Sequence, residues 1–522
     1  MDTKSEDSET LARPPAEPGT EARKAPLREG RPRSTKVDLE NATGGTLYAE
    51  HVKVYPKAVS GPYRTLKWAV LAVCLAIYYT VPWLRWDRGP DAPHQAILID
   101  LLSPRAYFFG IEIWPQEVYY ITGLLVLAAV GLFLVTALAG RVWCGYACPQ
   151  TVWTDLFMAV ERLVEGDRGA RIRLDRQPWS REKLLRKTAK HAAWLAIAVA
   201  TGGAWVLYFD DAPTAFHALV TGRASVEEYF FVGMFTATTY ILAGWAREQV
   251  CTYMCPWPRI QASMLDVHSL VVTYEAYRGE RRGPHKAGTS WEGRGDCIDC
   301  GQCIAVCPTG IDIRDGQQME CIGCGLCIDS CNTIMEKVGR PPNLIRFDTL
   351  DNQEAKAAGR PSRYRLVRPR VIIYAAVLAV ASAVMLFALE TRSTMGISVQ
   401  RDRAPLFVTL SDGSLRNGYT IKVSNKQRGV AQYSLAVVGQ PGATLSVQDV
   451  GDAHGADGVA LPVHGDAQAT FRVFVTLPRP ALVRDGGAQP SIPLVFSLKE
   501  EGPAQPHTTF YEGVFMGPGA KP

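Results

Sequence analysis

Five uncharged apolar stretches set the layout of this 522-residue chain. They run from Trp68 to about Trp83, Val118 to Ala139, His191 to Phe209, Tyr229 to Ala246 and Val371 to Leu389. Each is about long enough to cross the hydrocarbon core of a bilayer. Inside lipid the backbone must satisfy its own hydrogen bonds, which makes helices the architecture for such blocks. One block alone reads equally well as a buried helix of a soluble domain. Five together predict a polytopic helical membrane protein. Residues 1–60 are rich in Glu, Arg, Pro, Gly and Thr and nearly free of aromatic residues. They bury too little to offset their ordering entropy and are expected to be disordered. The opening MDTKSEDSET has no signal-peptide pattern.

Lysine and arginine placement predicts the orientation. Nine of them lie between Arg162 and Lys187, and Arg363, Arg365, Arg368 and Arg370 stand just before the fifth block. The loop between blocks three and four instead carries Asp210, Asp211, Glu227 and Glu228 against Arg223. The positive-inside rule then puts the N-terminus, the 141–190 loop and the cysteine-rich insert in the cytoplasm. Everything after Leu389 falls in the periplasm of a Gram-negative cell, and the chain in its inner membrane. Cysteine usage agrees, since none occurs beyond Cys331. A net charge of +5 is slight, and no nucleic-acid partner is expected.

The insert holds Cys297, Cys300, Cys303 and Cys307-Pro308, then Cys321, Cys324, Cys327 and Cys331. Each run is C-x2-C-x2-C-x3-C, the bacterial ferredoxin spacing for two [4Fe–4S] clusters. Three close thiolates each hold one iron of a cubane, and the fourth reaches the neighbouring one. By that rule Cys297, Cys300 and Cys303 share a cluster with Cys331, and Cys321, Cys324 and Cys327 share one with Cys307. Zinc prefers two separated ligand pairs, and disulfides between such close neighbours would be strained. Gly301 and Gly325 follow the second cysteine of each run, where the chain must curl tightly. Asn332 stands where the first run has Pro308, which leaves the ligand pattern intact.

An internal repeat adds four more cysteines. Cys144-Gly145-Tyr146-Ala147-Cys148-Pro149 ends block two, and Cys251-Thr252-Tyr253-Met254-Cys255-Pro256 ends block four. Both read C-x-Y-x-C-P. The proline disfavours helix at Cys148 and Cys255, so each thiol pair is expected on a helix-end loop. Four sulfurs there suit copper(I), a further iron–sulfur centre, or a redox dithiol; inert packing thiols are the plain alternative. Cys74, alone in mid-membrane, reads as a small hydrophobe. No G-x-G-x-x-G or Walker pattern is present, nor the paired helical histidines of a membrane haem site. His268 and His285 are expected to be solvated or capping.

The tail reads as β structure, with apolar runs at 405–410, 419–423, 432–438, 470–477 and 492–498 separated by turn signals such as Asn417-Gly418. An immunoglobulin-like sandwich without a disulfide is expected, with a β-barrel as the alternative. His454 and His464 read as ordinary surface residues. The expected fold class is multidomain α + β. It comprises a disordered N-terminus (1–60), a four-helix membrane domain (61–269) and a two-cluster ferredoxin domain (270–345). A linker with the fifth helix (346–390) and a periplasmic sandwich (391–522) complete it.

Two CxxxCP hairpins, a two-cluster ferredoxin insert, a fifth helix and a sandwich tail together resemble the FixG/RdxA/CcoG family of cytochrome c oxidase accessory proteins. The runs Cys144–Gln150 and Cys251–Arg259 (CTYMCPWPR) look like that family's signatures. The single motifs are shared with other membrane polyferredoxins. The resemblance implies a role in assembling a cbb3-type haem–copper oxidase, with oxidase subunits or copper chaperones as partners. It further implies reduction of Cu(II) to Cu(I), an oxidoreductase activity. Copper at or near Cys144, Cys148, Cys251 and Cys255 is the accompanying hypothesis. Two other functions stay open: a quinol-dehydrogenase-like electron-relay subunit, and an assembly scaffold acting through the tail. The electron donor is not specified by the sequence.

Overall fold

The computed structural model describes residues 53–517 apart from 90–91, 287, 289, 428, 455–456, 466, 479–482, 485–486, 489 and 503–506. Most of the expected disordered segment therefore lies outside the described residues. Its last part departs from expectation: residues 53–60 form neither helix nor strand, yet they are bonded into the fold. The Lys57 amide donates to the Ala305 carbonyl at 2.8 Å, and the Ala58 amide to Asp167 at 2.9 Å. The chain divides into two compact units, 1–86 with 95–378 and 87–94 with 379–522.

Among the described residues of both units, four helices are long and apolar enough to cross a membrane: 62–83, 119–139, 226–246 and 369–390. The third expected block takes a different form. It is the C-terminal part of helix Arg181–Val206, whose first turns carry Arg181, Lys183, Arg186, Lys187 and Lys190. That helix packs along Val226–Thr239, where a Cβ on Gly202 would stand 2.6 Å from the Val232 carbonyl oxygen. Such a small residue lets two membrane helices approach closely.

Helix Pro149–Glu165 packs against Arg181–Val206 and against Tyr240–Ala246, the continuation of Val226–Thr239. Trp194 is 2% exposed, stacks on Phe157 at 5.3 Å and donates its indole N–H to the Phe157 carbonyl. Beside this apolar core lies a buried ionic lattice. Glu161 accepts from Arg171 at 3.0 Å and Arg247 at 2.9 Å, and Glu165 pairs with Lys187 and Lys190. Asp155 takes both oxygens to the Arg64 guanidinium, with the Lys67 ammonium 3.8 Å away. Buried charges persist only when paired in this way. Cys74, on helix Pro62–Thr80, is half-buried.

The ferredoxin-like insert is closed at its ends. Strands Val271–Tyr274 and Ile345–Asp348 pair antiparallel, with Val271 opposite Asp348 and Tyr274 opposite Ile345. In the second unit the tail forms two antiparallel sheets. One orders the strands 451–454, 444–447, 467–477, 415–425 and 395–401, with 408–409 joined to 415–425. The other orders 459–463, 431–438, 491–501 and 508–516. Inward residues such as Tyr419, Ile421, Leu435, Val473, Leu494 and Phe496 make one core. This is a sandwich rather than a closed barrel. The expected strand at 405–410 shrinks to Val408–Thr409, beside the turn at Asp412 and Gly413.

Glu161→Gln should leave Arg171, Arg247 and Lys190 without their shared anion. We expect a loss of about 3–5 kcal/mol, the range for removing one side of a buried pair. Thermal unfolding of the detergent-solubilised protein, compared with exposed Glu182→Gln, checks it.

Candidate iron–sulfur and thiol centre

The two ferredoxin-type runs surround two adjoining cavities. Cys297, Cys300, Cys303 and Cys331 line one, with Tyr274, Ile334 and Leu344. Cys307, Cys321, Cys324 and Cys327 line the other, with Val272, Ile311 and Ile313. Cys303 borders both. The fourth cysteine of each run thus sits with the other run's three. Gly301 and Gly325 both have positive φ, at 62° and 74°, which lets the chain double back between ligands. Apart from Gln302 and Arg314 in the first cavity and Thr309 in the second, the walls are mainly apolar side chains and thiols, and four thiols per cavity are the donor set that suits a cubane.

Burial pushes the Cys303 thiol up to about 11, and those of Cys321 and Cys331 up to about 12. Metal-free, these groups are protonated at neutral pH, so loading the cavities releases protons. Among the described residues, no three His, Cys, Asp or Glu side chains gather tightly enough to hold one metal ion. In a cubane each cysteine binds its own iron, which needs wider spacing than a single ion does.

The C-x-Y-x-C-P turns are built alike. Four residues before the first cysteine, each chain breaks its membrane helix with a left-handed residue: Gly140 at φ 63° and Arg247 at φ 42°. An arginine there is strained. Its guanidinium compensates by donating to the Gly244 carbonyl and to Glu161. Cys148 and Cys255 are extended, at ψ 128° and 123°, so both helices end at the cysteine before the proline. In the second copy the residues before it, Tyr240–Ala246 and Val250–Met254, are wound as π-helix. Such bulges recur at functional sites.

The four turn cysteines come within electrostatic reach of one another. The Cys144 thiol is pushed up to about 12, first by burial and then by Cys148, Cys251 and Cys255. Burial likewise raises Cys251 to about 11. The Cys144 thiol donates to Gln261, which is wholly buried and bonded in turn to Thr136.

These turns abut the second cavity. A Cβ on Gly145 would lie 2.8 Å from the Ile322 carbonyl oxygen and 3.1 Å from the Cys324 backbone. The Tyr146 hydroxyl donates to the Cys324 carbonyl at 3.0 Å. Arg141, also buried, donates to the carbonyls of Met319, Cys321 and Pro258. Asp329, in helix Leu326–Lys337, accepts the amides of Tyr63 and Arg64 at the start of the first membrane helix. Sequence reasoning missed Arg141, Tyr146, Asp329 and Arg247. The shared tyrosine of the repeat was the one available signal. Tyr253, its counterpart, is 70% exposed, so the repeat is asymmetric here. His285 stacks on Trp291 and His268 sits 3.5 Å from Asp351, both outside the cysteine sites.

Comparison with known proteins agrees with this arrangement. A model of a 4Fe-4S dicluster domain matches residues 246–350, and one of a 4Fe-4S binding domain matches 121–165. A model described as an IG-like fold at the C-terminal of FixG matches 385–518. The nitrogen fixation protein FixG of Rhizobium meliloti is 50% identical over 508 residues, covering 91% of this chain and 95% of that protein. The chain belongs to the FixG/RdxA family. Protein RdxA of Cereibacter sphaeroides is 49% identical, covering 83% of this chain and 91% of its own length. Protein RdxB of the same organism is 50% identical, covering 82% and 90%. The chain is therefore a membrane iron–sulfur redox protein with an Ig-like tail.

The crossed lining makes a sharp expectation. Cys331→Ala should lose about half the iron and remove the same cluster signal as Cys297→Ala, because each cubane supplies half of it. Cys307→Ala should instead match Cys321→Ala. Paramagnetic resonance of the reduced variants, with iron and sulfide counts, distinguishes the two pairings.

Proposed function

We propose that this chain reduces Cu(II) to Cu(I) during assembly of a cbb3-type oxidase, at the four turn cysteines. Cys297, Cys300, Cys303 and Cys331 hold one cluster, and Cys307, Cys321, Cys324 and Cys327 the other. When bound, the clusters supply electrons one at a time. The observation that carries the reading is the junction at Gly145, Tyr146 and Arg141. It sets Gly145 and Tyr146, the residues between Cys144 and Cys148, directly against the backbone of Cys324 in the second cavity. Soft thiolates favour the cuprous product, so Cys144, Cys148, Cys251 and Cys255 pull the substrate toward reduction. The ferredoxin segment faces the cytoplasm and the sandwich the periplasm of a bacterial inner membrane, as the lysine and arginine bias supports. Oxidase subunits or copper chaperones receive the product, and the sandwich is the contact module.

A second reading is an electron relay within a larger respiratory complex. The 4Fe-4S binding-domain match over 121–165 favours it, since that stretch includes Cys144 and Cys148. On this reading the turn cysteines hold a further iron centre, and purified protein contains iron beyond two cubanes.

Stoichiometric Cu(II) should re-oxidise the dithionite-reduced protein under argon. Replacing Cys144, Cys148, Cys251 and Cys255 by serine should slow that step by at least about a hundredfold, since soft-ligand capture of cuprous ion is lost. An unchanged rate in that variant removes copper from the turns. Gly145→Val must push the ferredoxin segment away by the contacts above. It should slow re-oxidation while leaving the iron content intact.

A further inference from the structure

We propose that the surface beside the first cysteine cavity docks a small acidic iron–sulfur carrier protein, which delivers the electrons. The proposal rests on reading Cys297, Cys300, Cys303 and Cys331 as cluster ligands. Of the eight ferredoxin-type cysteines only Cys300 is exposed; the others are buried or half-buried. Electron transfer falls steeply with distance, so a soluble donor gains most by approaching at this cavity. The second cavity is covered on one side by Gly145 and Tyr146 and offers no comparable approach there.

The segment leading into the first run, from Arg278 to Asp296, is fastened to it through the backbone. The Gly283 amide donates to the Cys297 carbonyl at 3.1 Å, the Gly295 amide to Arg281 at 3.2 Å and the Asp296 amide to Arg278 at 3.0 Å. His285 lies flat on Trp291 with ring centroids 3.8 Å apart, and the Arg340 guanidinium stands 4.9 Å from the same ring. A docking platform joined to a ligand's own carbonyl holds a partner at a fixed distance from that ligand.

Between Arg278 and Arg294 the chain has five lysines and arginines against two glutamates. Arg278 is spent on Glu275 and Asp296, and Arg282 stands 3.9 Å from Glu280 and 3.7 Å from Asp315. The carboxylates that follow are already engaged: buried Asp296 by Arg278 and Arg340, Asp299 and Asp312 by Arg314. Arg281, Lys286 and Arg294 are exposed. A positive surface of this kind steers an acidic partner and accelerates encounter without tight binding, as transient electron carriers need. In the transfer one ferrous iron of the carrier becomes ferric and one electron enters the acceptor cluster. No bond forms or breaks, and no proton moves.

The test uses the full chain in lipid nanodiscs with its clusters reconstituted anaerobically and a reduced acidic ferredoxin as probe. Stopped-flow mixing should show a second-order rate that falls about tenfold between low and high salt, as for charge-steered association. The triple variant R281E/K286E/R294E should lower the rate by a similar factor. It should also weaken binding of the oxidised ferredoxin in calorimetry, with iron content unchanged. Rates and binding indifferent to both salt and charge reversal would overturn the proposal. So would reduction by a bilayer hydroquinone but not by ferredoxin. Failure of the cluster reading itself appears earlier, as missing iron and absorbance before any donor is added.

Discussion

One buried guanidinium fastens three of the four cysteine-bearing segments together. Arg141 opens the first thiol turn, and its side chain donates to carbonyls on the second ferredoxin-type run and beyond the second thiol turn. All of these acceptors are neutral backbone oxygens, and the buried Nε of Arg141 has no partner among the described residues. A lysine could not replace it, because only the planar fork reaches separated acceptors at once. Tyr146 and Gly145 complete the seam by contact with Cys324. The alignment of the two kinds of cysteine site follows from these groups.

The surroundings of the seam are built to keep it still. Asp329 crosses from the ferredoxin segment to hold the first turn of a membrane helix, and residues 53–60 reach back over the Gln302–Ala305 helix. Beneath it, Glu161 joins Arg247 to the helix bearing Arg171, tying the strained residue before the second thiol turn to the buried lattice. Ionic pairing at this depth contributes geometry more than net stability. Geometry is what an electron-transfer site requires.

Much of this could be read from residue order alone. Ligand spacing in Cys297–Cys331 is local, and the cavities group the cysteines as the spacing rule does. Apolar length revealed the helices at 62–83, 119–139, 226–246 and 369–390. The proline rule correctly ended the helices at Cys148 and Cys255. What stayed hidden was everything that depends on segments far apart in sequence. Arg141 and Asp329 look like any interfacial charge until the chain is folded. Residues 53–60 (KVYPKAVS) were concealed by their place at the end of the polar N-terminal stretch, although Val54, Tyr55 and Val59 already set them apart from it. The third apolar block was visible, but its helix begins among charges, and only the close pass of Gly202 shows how it packs.

The pairing of Val271–Tyr274 with Ile345–Asp348 carries an architectural consequence. The double-cysteine segment leaves the membrane part and rejoins it at a single point, so topologically it is a cassette on a two-strand stalk. Its insertion or exchange during evolution need not have disturbed the order of the membrane helices. The demanding step is the fit: a newly acquired cassette seats only once the buried Gly145, Tyr146 and Asp329 match their partners in shape.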